Sequence, residues 1–566
     1  VLALTFSNRA ADEIRQRLGD LGDAKARAFV GTMHGFCLDL LSERGESVGV
    51  DGVPAIFEHY HDRKQVLLKA ISDDPVLGEM INEIPDVKLR SRMVDDWLQT
   101  ISRIKAHPIS QAEVGDVVER RVVEAYDAGM RASHAYDFDD LLVLAYRLLT
   151  SSPQLASFYR RLYRFICVDE AQDLNEAQYA VLQALAGGGA FSNVMLVGDP
   201  RQSIYGFNTS SPKYMDRFRA DFNATVVTLT ENFRSSRAVV SVARSLESGY
   251  MLSAQLPIDG SAEIIVADDE KHEARLIADE LARLLKVGHP DVEGLIDRSR
   301  CAVLGRSRFV LLGIEAELRA RCVPYYKRVT STHENASGLV TEFDLGLRVL
   351  GNEHDELHLS MLLRRWAVSM SEPTSSAIDV LKAASSASSV THAMAVANAL
   401  VAVHDVSDGF DLMPSLAVMR SYGSSLSDDE RRAVGEDVAV LEHEWDQYLR
   451  SGPRVRSIAG FMSSRALGAT QRATLDGVGL LTVHASKGLE FDVVFIAGMA
   501  EGTFPDYRAT GAKELAEEGR NAFVAVTRCK RLLYLTYPKS KLMPWGDPRH
   551  QTPSRFLRSS GLAIPP

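Results

Sequence analysis

The sequence predicts an α/β fold, and three observations predict it. Short apolar runs end abruptly in polar turns: Ile166-Cys167-Val168 runs into Asp169-Glu170, and Val194-Met195-Leu196-Val197 runs into Gly198-Asp199-Pro200. Such runs read as buried strands, and ligands of open α/β sheets bind just outside the carboxyl ends of the strands. Elsewhere the apolar residues recur with helical periodicity, as from Ala11 to Leu18. The 566 residues suggest about four domain-sized units.

Asp169-Glu170 is the first chemical signal. Mg²⁺ takes one or two carboxylates together with phosphate oxygens. One acid can hold the ion through water while the other takes a proton from an attacking water. Alone, such a pair also serves as a helix N-cap and a solvated charge, so its meaning depends on what accompanies it.

Composition sets bounds. With 64 basic and 75 acidic residues the net charge is −11. This argues against indiscriminate, charge-driven coating of nucleic acid, though not against a local basic stripe. The five cysteines (37, 167, 301, 322 and 529) are scattered without a Cys-x-x-Cys pair. That excludes an obvious zinc or iron–sulfur site and fits reduced, intracellular thiols. No run of 18 apolar residues exists, so no membrane span is expected.

Further boxes follow in order. After Gly198-Asp199-Pro200 come Arg201-Gln202-Ser203-Ile204-Tyr205-Gly206-Phe207. Near the C-terminus stand Leu481-Thr482-Val483-His484-Ala485-Ser486-Lys487-Gly488-Leu489-Glu490-Phe491 and Val524-Ala525-Val526-Thr527-Arg528. In these boxes the chain resembles the UvrD/Rep/PcrA family of superfamily 1 DNA helicases, from Leu4 to Leu557 and least between about residues 350 and 475. The resemblance implies two RecA-like motor domains with parallel sheets, each carrying a largely helical insertion domain. Residues 1–55 and 131–230 would form the first motor domain and 56–130 its insertion. Residues 231–350 and 473–566 would form the second motor domain and 351–472 its insertion. Gly31-Thr32-Met33-His34 resembles the family's DNA-contact box, and Asp137-Phe138-Asp139-Asp140-Leu141 its return into the first motor domain. Ser369 to Ser389, rich in Ser and Ala, gives few packing cues, and the usual internal markers of the second insertion are not recognisable.

The resemblance also implies roles. Asp169 would coordinate Mg²⁺ through water, Glu170 would deprotonate the attacking water, and Gln202 would sense the γ-phosphate of ATP. Arg234 and Arg528 would be arginine fingers, since a planar, permanently charged guanidinium suits phosphate charge. Phe233 would stack on adenine, Glu490 would accept from the ribose hydroxyls, and Gly488 would allow close backbone approach. Phe6, Tyr205 and Phe207 would stack on bases of single-stranded DNA, and Asn8, Thr32, His34 and His484 would contact its backbone. Trp545, followed by Gly546, would stand at a hairpin tip against the first base pair of a duplex. Each has a plainer reading: a polar turn for Gln202, a salt bridge for either arginine, core packing for Phe233, a structural imidazole for either histidine. Trp545 would then pack its hairpin onto the motor domain. The family commonly carries Trp where Phe207 stands, and Pro544 departs from the usual hairpin.

No Gly-x-x-x-x-Gly-Lys-[Ser/Thr] occurs in the sequence. That loop cradles the phosphates of ATP, so these residues alone are expected to turn over ATP poorly. Two expectations compete, a fragment that has lost its first few dozen residues and a natural ATPase-dead relative. The implied activity is an ATP- and Mg²⁺-dependent 3′-to-5′ DNA helicase and translocase acting on single-stranded DNA and single–double-strand junctions. It would serve DNA repair, replication restart or recombination in a bacterial-type cytoplasm, associated with the nucleoid, with repair-protein partners or self-association left open. The alternative is an ATPase-dead DNA-binding subunit partnered with an active motor. A helicase–nuclease fusion is disfavoured, because little chain follows Pro553-Ser554-Arg555-Phe556-Leu557.

Overall fold

The computed structural model describes residues 1–19, 28–109, 117–187, 193–204, 210–327, 337–369, 376–404, 410–452, 456–468, 477–542 and 547–565. They form two compact units. One gathers the described residues of Val1–Asp169, Leu174–Leu196 and Ser331–Arg472, the other those of Glu170–Asp173, Val197–Thr330 and Ala473–Pro566. The class is α/β with parallel sheets, as expected.

The first unit is built on four parallel strands in the order Phe29–Thr32, Leu2–Thr5, Ile166–Val168, Val194–Leu196. Leu2, Leu4, Ile166 and Val168 are buried. The flanking helices begin where the sequence supplies reciprocal caps. Asp137 and Asp140 form a capping box at Phe138–Ser151, and Asn175 and Gln178 form one at Glu176–Ala186. Val194–Leu196 lies at the sheet edge. No described strand pairs with its outer side, and Met195 is 54% exposed.

The described part of residues 60–132 is largely helical. Tyr60–Asp73, Pro75–Asn82, Val87–Lys105 and Val117–Ala132 pack around Leu67, Trp97 and Tyr126. The short strands Ala55–Ile56 and Ala135–Tyr136 pair in parallel where the chain leaves and returns. Between Gly338 and Ala466 lie seven described helices around Phe343, Trp366, Trp445 and Phe461. The Ser/Ala-rich stretch contributes the helix Ala377–Ala387, with Ile378, Leu381 and Ala384 in this core. The bulk that orders it comes from other helices, which is why the stretch itself looked uninformative.

The second unit holds a seven-stranded sheet. Tyr325–Lys327, Val478–Thr482, Cys301–Gly305, Phe491–Ala497 and Cys529–Leu542 run parallel in that order. Ser261–Asp269 also pairs in parallel with Cys529–Leu542, and Pro548–His550 pairs antiparallel with its end. Cys301–Gly305 and Phe491–Ala497 are buried throughout. Unbroken apolar runs are what a parallel sheet covered on both faces requires.

Within the first unit the helices of residues 60–132 and those of residues 338–466 are joined through charge. Arg348 donates to both carboxylate oxygens of Glu58, at 3.0 and 2.5 Å. His358 lies 3.3 Å from Asp62 and 2.6 Å from Asp355. Burial opposes charge on His358, but the two carboxylates outweigh it and raise its pKa to about 9. Removing Glu58 would leave the buried Arg348 with only Asp344, at 3.3 Å, and weakening a buried ion pair costs several kcal/mol. Glu58→Ala is therefore expected to destabilise this unit by about 3 kcal/mol, read as a lower urea midpoint. Glu58→Ala with Arg348→Met should recover most of that loss, because no buried charge is then unpaired.

Candidate functional site

The site begins where Ile166–Val168 ends. Asp169 is half-buried, and its backbone N–H donates to the Leu4 carbonyl at 2.8 Å. Glu170 follows with φ of 53°, a left-handed conformation that a side chain disfavours. Its surroundings impose that geometry. The Asp173 N–H donates to the Glu170 carbonyl at 3.0 Å, the Ala171 N–H donates to the Val197 carbonyl at 2.9 Å, and Gln172 Nε2 donates to Glu170 Oε2 at 2.5 Å.

Gln172 carries the connection onward. Its Oε1 accepts from the Asp199 N–H at 3.1 Å, and its carbonyl accepts from Ser203 Oγ at 3.2 Å. A Cβ at position 198 would stand 2.4 Å from Gln172 Oε1, so only glycine admits this approach. The Asp199 carboxylate accepts from the Arg201 N–H and from Gln202 Nε2, both at 3.1 Å. Gln202 Oε1 in turn accepts from Arg528 Nη2 at 3.0 Å. Arg528 is buried, steadied by the Val524 carbonyl at 3.2 Å and Thr527 Oγ1 at 3.2 Å. Lys487 closes the set by donating to Asp173 Oδ2 and, at 2.7 Å, to the Gln202 carbonyl. Burial pushes the Asp173 carboxyl up to about 6 against the pull of Lys487, and burial lowers the Lys487 ammonium.

A cavity of about 380 Å³ adjoins this network, with Asp199, Gln202, Phe233, Arg234, Tyr250 and Thr527 in its wall. Phe233 is 67% exposed at its rim, so it is not a core aromatic. Asn232 shapes the rim. Its Oδ1 accepts from the Arg234 and Ser235 N–H groups at 2.9 and 2.8 Å, and its Nδ2 donates to the Tyr250 hydroxyl at 3.0 Å. Arg234 Nη2 stands 2.7 Å from Glu490 Oε1. Gly488 has φ of 75° with open space where a Cβ would point. Glu170, Gln202, Arg528, Phe233, Arg234, Gly488 and Glu490 thus all lie in one compact unit. Gln172, Asp173, Asp199, Lys487, Asn232 and Tyr250 hold them and drew no role from sequence alone. The available signal was a lone lysine amid Ala485, Ser486, Gly488 and Leu489, a setting that foretells a buried, paired charge.

Of the residues expected to touch DNA, Phe6, Asn8, Thr32 and His34 lie at or just beyond strand ends of the first unit, and His484 just beyond one of the second. Thr5 and Thr32 are in register, which places Phe6 and Asn8 beside Thr32 and His34. Thr32 Oγ1 accepts from the Gly35 N–H at 3.1 Å, and Thr482 Oγ1 accepts from the Ala485 N–H at 3.3 Å. Each threonine therefore caps a helix that carries a histidine in its first turn, His34 in one unit and His484 in the other. The Asn8 amide donates to the Leu467 carbonyl at 2.7 Å. Tyr205, Phe207 and Trp545 lie outside the described residues. The arms around Trp545 form an antiparallel hairpin, with Ser540 opposite His550 and Leu542 opposite Pro548.

Residues 1–223 match the family profile described as UvrD/REP helicase N-terminal domain, and residues 436–540 match the UvrD-like helicase C-terminal domain. The chain is 28% identical to ATP-dependent DNA helicase UvrD1 of Mycobacterium leprae, over 100% of this chain and 79% of that protein. It is 28% identical to the UvrD1 of Mycobacterium tuberculosis, over 99% of this chain and 78% of that protein. It is 25% identical to ATP-dependent DNA helicase PcrA of Staphylococcus aureus, over 99% of this chain and 79% of that protein.

Burial lowers the His34 pKa to about 4, and burial also lowers that of His484. The His34 ring packs edge-on to Phe138, with centroids 6.0 Å apart. Between its unfolded pKa near 6.5 and its folded value near 4, unfolded His34 binds more protons than folded His34. Its contribution to stability is therefore complete above about pH 6.5 and is lost as the pH falls toward 4. His34→Gln should shrink the difference in urea midpoint between pH 7 and pH 5, and an NMR titration should find the wild-type imidazole neutral at pH 6.

Proposed function

The chain belongs to the UvrD/Rep family of helicases, and from that premise we propose that it is an ATP-driven DNA helicase. It travels 3′ to 5′ on single-stranded DNA and opens duplex at junctions, in DNA repair, replication restart or recombination. It works in the cytoplasm on nucleoid DNA. The observation that carries the reading is the hydrogen-bonded series from Glu170 through Gln172, Asp199 and Gln202 to Arg528, beside a cavity rimmed by Phe233 and Arg234. Phosphoryl transfer needs positioning and neutralisation of charge more than covalent chemistry, and this series links a carboxylate, an amide and a guanidinium for those tasks.

In this reading Phe233 stacks on adenine and Glu490 accepts from the ribose. Glu170 takes the proton of the attacking water, while Arg234 and Arg528 spread the charge that develops on the phosphate. Gln202 accepts from Arg528 and donates to Asp199 through one amide. A phosphate that draws Arg528 away breaks that link and moves the turn, which is how hydrolysis would be sensed. Among the described residues no group of three or more His, Cys, Asp or Glu side chains suits a metal. Mg²⁺ held with a nucleotide needs only one or two carboxylates, a demand the half-buried Asp169 meets, and the ion would neutralise phosphate charge there. Phe6, Tyr205 and Phe207 stack on bases, with Asn8, Thr32, His34 and His484 along the backbone and Trp545 against the first base pair. No described helix is long and apolar enough to cross a membrane.

The second reading is a DNA-binding subunit working beside an active motor. Residues 1–566 contain no Gly-x-x-x-x-Gly-Lys-[Ser/Thr], so by themselves they are expected to hydrolyse ATP weakly. A phosphate-binding loop joined ahead of Val1 should bring DNA-stimulated hydrolysis if the chain is a motor, and should not if it is the subunit. In that extended protein Glu170→Gln should keep nucleotide affinity and lose about 10²–10⁴-fold in rate, the usual worth of a general base. Parallel loss of affinity would assign Glu170 a structural role. Binding to single-stranded DNA, followed by fluorescence anisotropy, should show little sequence preference. It should weaken with salt at a log–log slope of about −0.7 per neutralised phosphate. Phe6→Ala should cost about 1–3 kcal/mol of binding and leave that slope unchanged.

A further inference from the structure

Arg234 and Glu490, two residues that the proposed function assigns to opposite ends of a nucleotide, are paired to each other at 2.7 Å. Their side chains are 46% and 38% exposed. Both stand on fixed backbone. The Arg234 carbonyl accepts from Arg531 Nη1 at 2.7 Å, and its N–H donates to Asn232 Oδ1 at 2.9 Å. The next residues are fastened to the same segment. Ser235 Oγ donates to the Cys529 carbonyl at 3.0 Å, and the Ser236 N–H donates to the Lys530 carbonyl at 2.8 Å. Glu490 is flanked on both sides, by the Leu489 N–H donating to the Ser486 carbonyl and the Phe491 N–H donating to the Arg528 carbonyl, each at 2.9 Å. With both backbones tied in this way, side-chain rotation is the simplest way to separate the pair.

We propose that the Arg234–Glu490 pair is a specificity element that a nucleotide exchanges and a bare polyphosphate does not. The inference rests on the nucleotide reading given above. A polyphosphate that takes Arg234 leaves the Glu490 carboxylate beside it, unpartnered and repelling it. A nucleotide presents ribose hydroxyls as well, and these donate to the released carboxylate. Both halves of the pair are then satisfied at once, by phosphate at one end and sugar at the other. Glu490 thus penalises every anion that lacks a sugar, which is discrimination by a repulsive element as much as by an attractive one.

The test uses inorganic tripolyphosphate and ATP, titrated calorimetrically at low salt into the unmodified chain, Glu490→Gln, and Glu490→Gln with Arg234→Gln. Glu490→Gln keeps a group that can meet a ribose hydroxyl and removes the repulsion. It should bind tripolyphosphate about two- to fivefold more tightly than the unmodified chain, the scale of a half-exposed charge pair. Its preference for ATP over tripolyphosphate should narrow. The doubly substituted chain should lose the gain, because Arg234 is what Glu490 masks. Unchanged or weaker tripolyphosphate binding by Glu490→Gln, undetectable binding at millimolar concentrations included, would overturn the proposal, as would a gain that persists without Arg234. An unmodified chain that holds ATP no more tightly than tripolyphosphate would instead count against the nucleotide reading itself.

Discussion

The ammonium of Lys487 is the contact on which the candidate site depends. It sits in the interior, joined to a carboxylate of the Asp-Glu-Ala-Gln-Asp turn and to a carbonyl of the Gly-Asp-Pro-Arg-Gln turn. Burying two charges is costly and leaves little net stabilisation. What such a pair supplies is a single arrangement, because any displacement leaves a charge without a partner. Glu170, Gln172, Asp199 and Gln202 take their positions from the two turns it joins, and Arg528 meets them through Gln202. Arg520 adds a second tie, donating to the Ser203 carbonyl at 2.7 Å. The strained Glu170 backbone persists in this setting because its neighbours over-determine it.

Much of this was legible in sequence where one continuous stretch carries both a strand and its chemistry. Ile166–Val168 with Asp169-Glu170, and Val478–Thr482 with His484, declare themselves by an apolar run that stops at a polar turn. What links such stretches was not legible. Nothing in the spacing of Asp173 and Lys487 announces that they meet across 314 positions. Arg234 invited a plain salt-bridge reading and a nucleotide reading. The structure places it in a salt bridge and at the rim of the cavity together, with Glu490, itself a candidate, as the partner.

The helices between Gly338 and Ala466 show the same limit from another side. Their sequence carries little periodic bulk between Ser369 and Ser389, so local pattern could not foretell the packing. The order is imposed by distant aromatic residues. Trp366 is fully buried, and its indole N–H donates to Glu342 at 2.7 Å. Trp445, Tyr448 and Phe461 pack ring on ring. Small side chains in the helix Ala377–Ala387 then become an advantage, since they let neighbouring backbones approach. The charges that join these helices to those of residues 60–132, at Glu58 and Arg348, are separated by 290 positions, and each alone reads as an ordinary surface charge.

The outer edge of Val194–Leu196 has a bearing on how the protein behaves at the bench. Peptide donors and acceptors along that edge face away from Ile166–Val168, next to the exposed thioether of Met195. An apolar edge of this kind is a template for any extended chain in reach, and nothing about it is specific to one partner. Such an edge is a place where concentrated material is expected to associate. A lysine in place of Met195 is the economical remedy, since an outward charge blunts edge pairing and disturbs none of the hydrogen bonds that hold Glu170, Gln202 and Arg528.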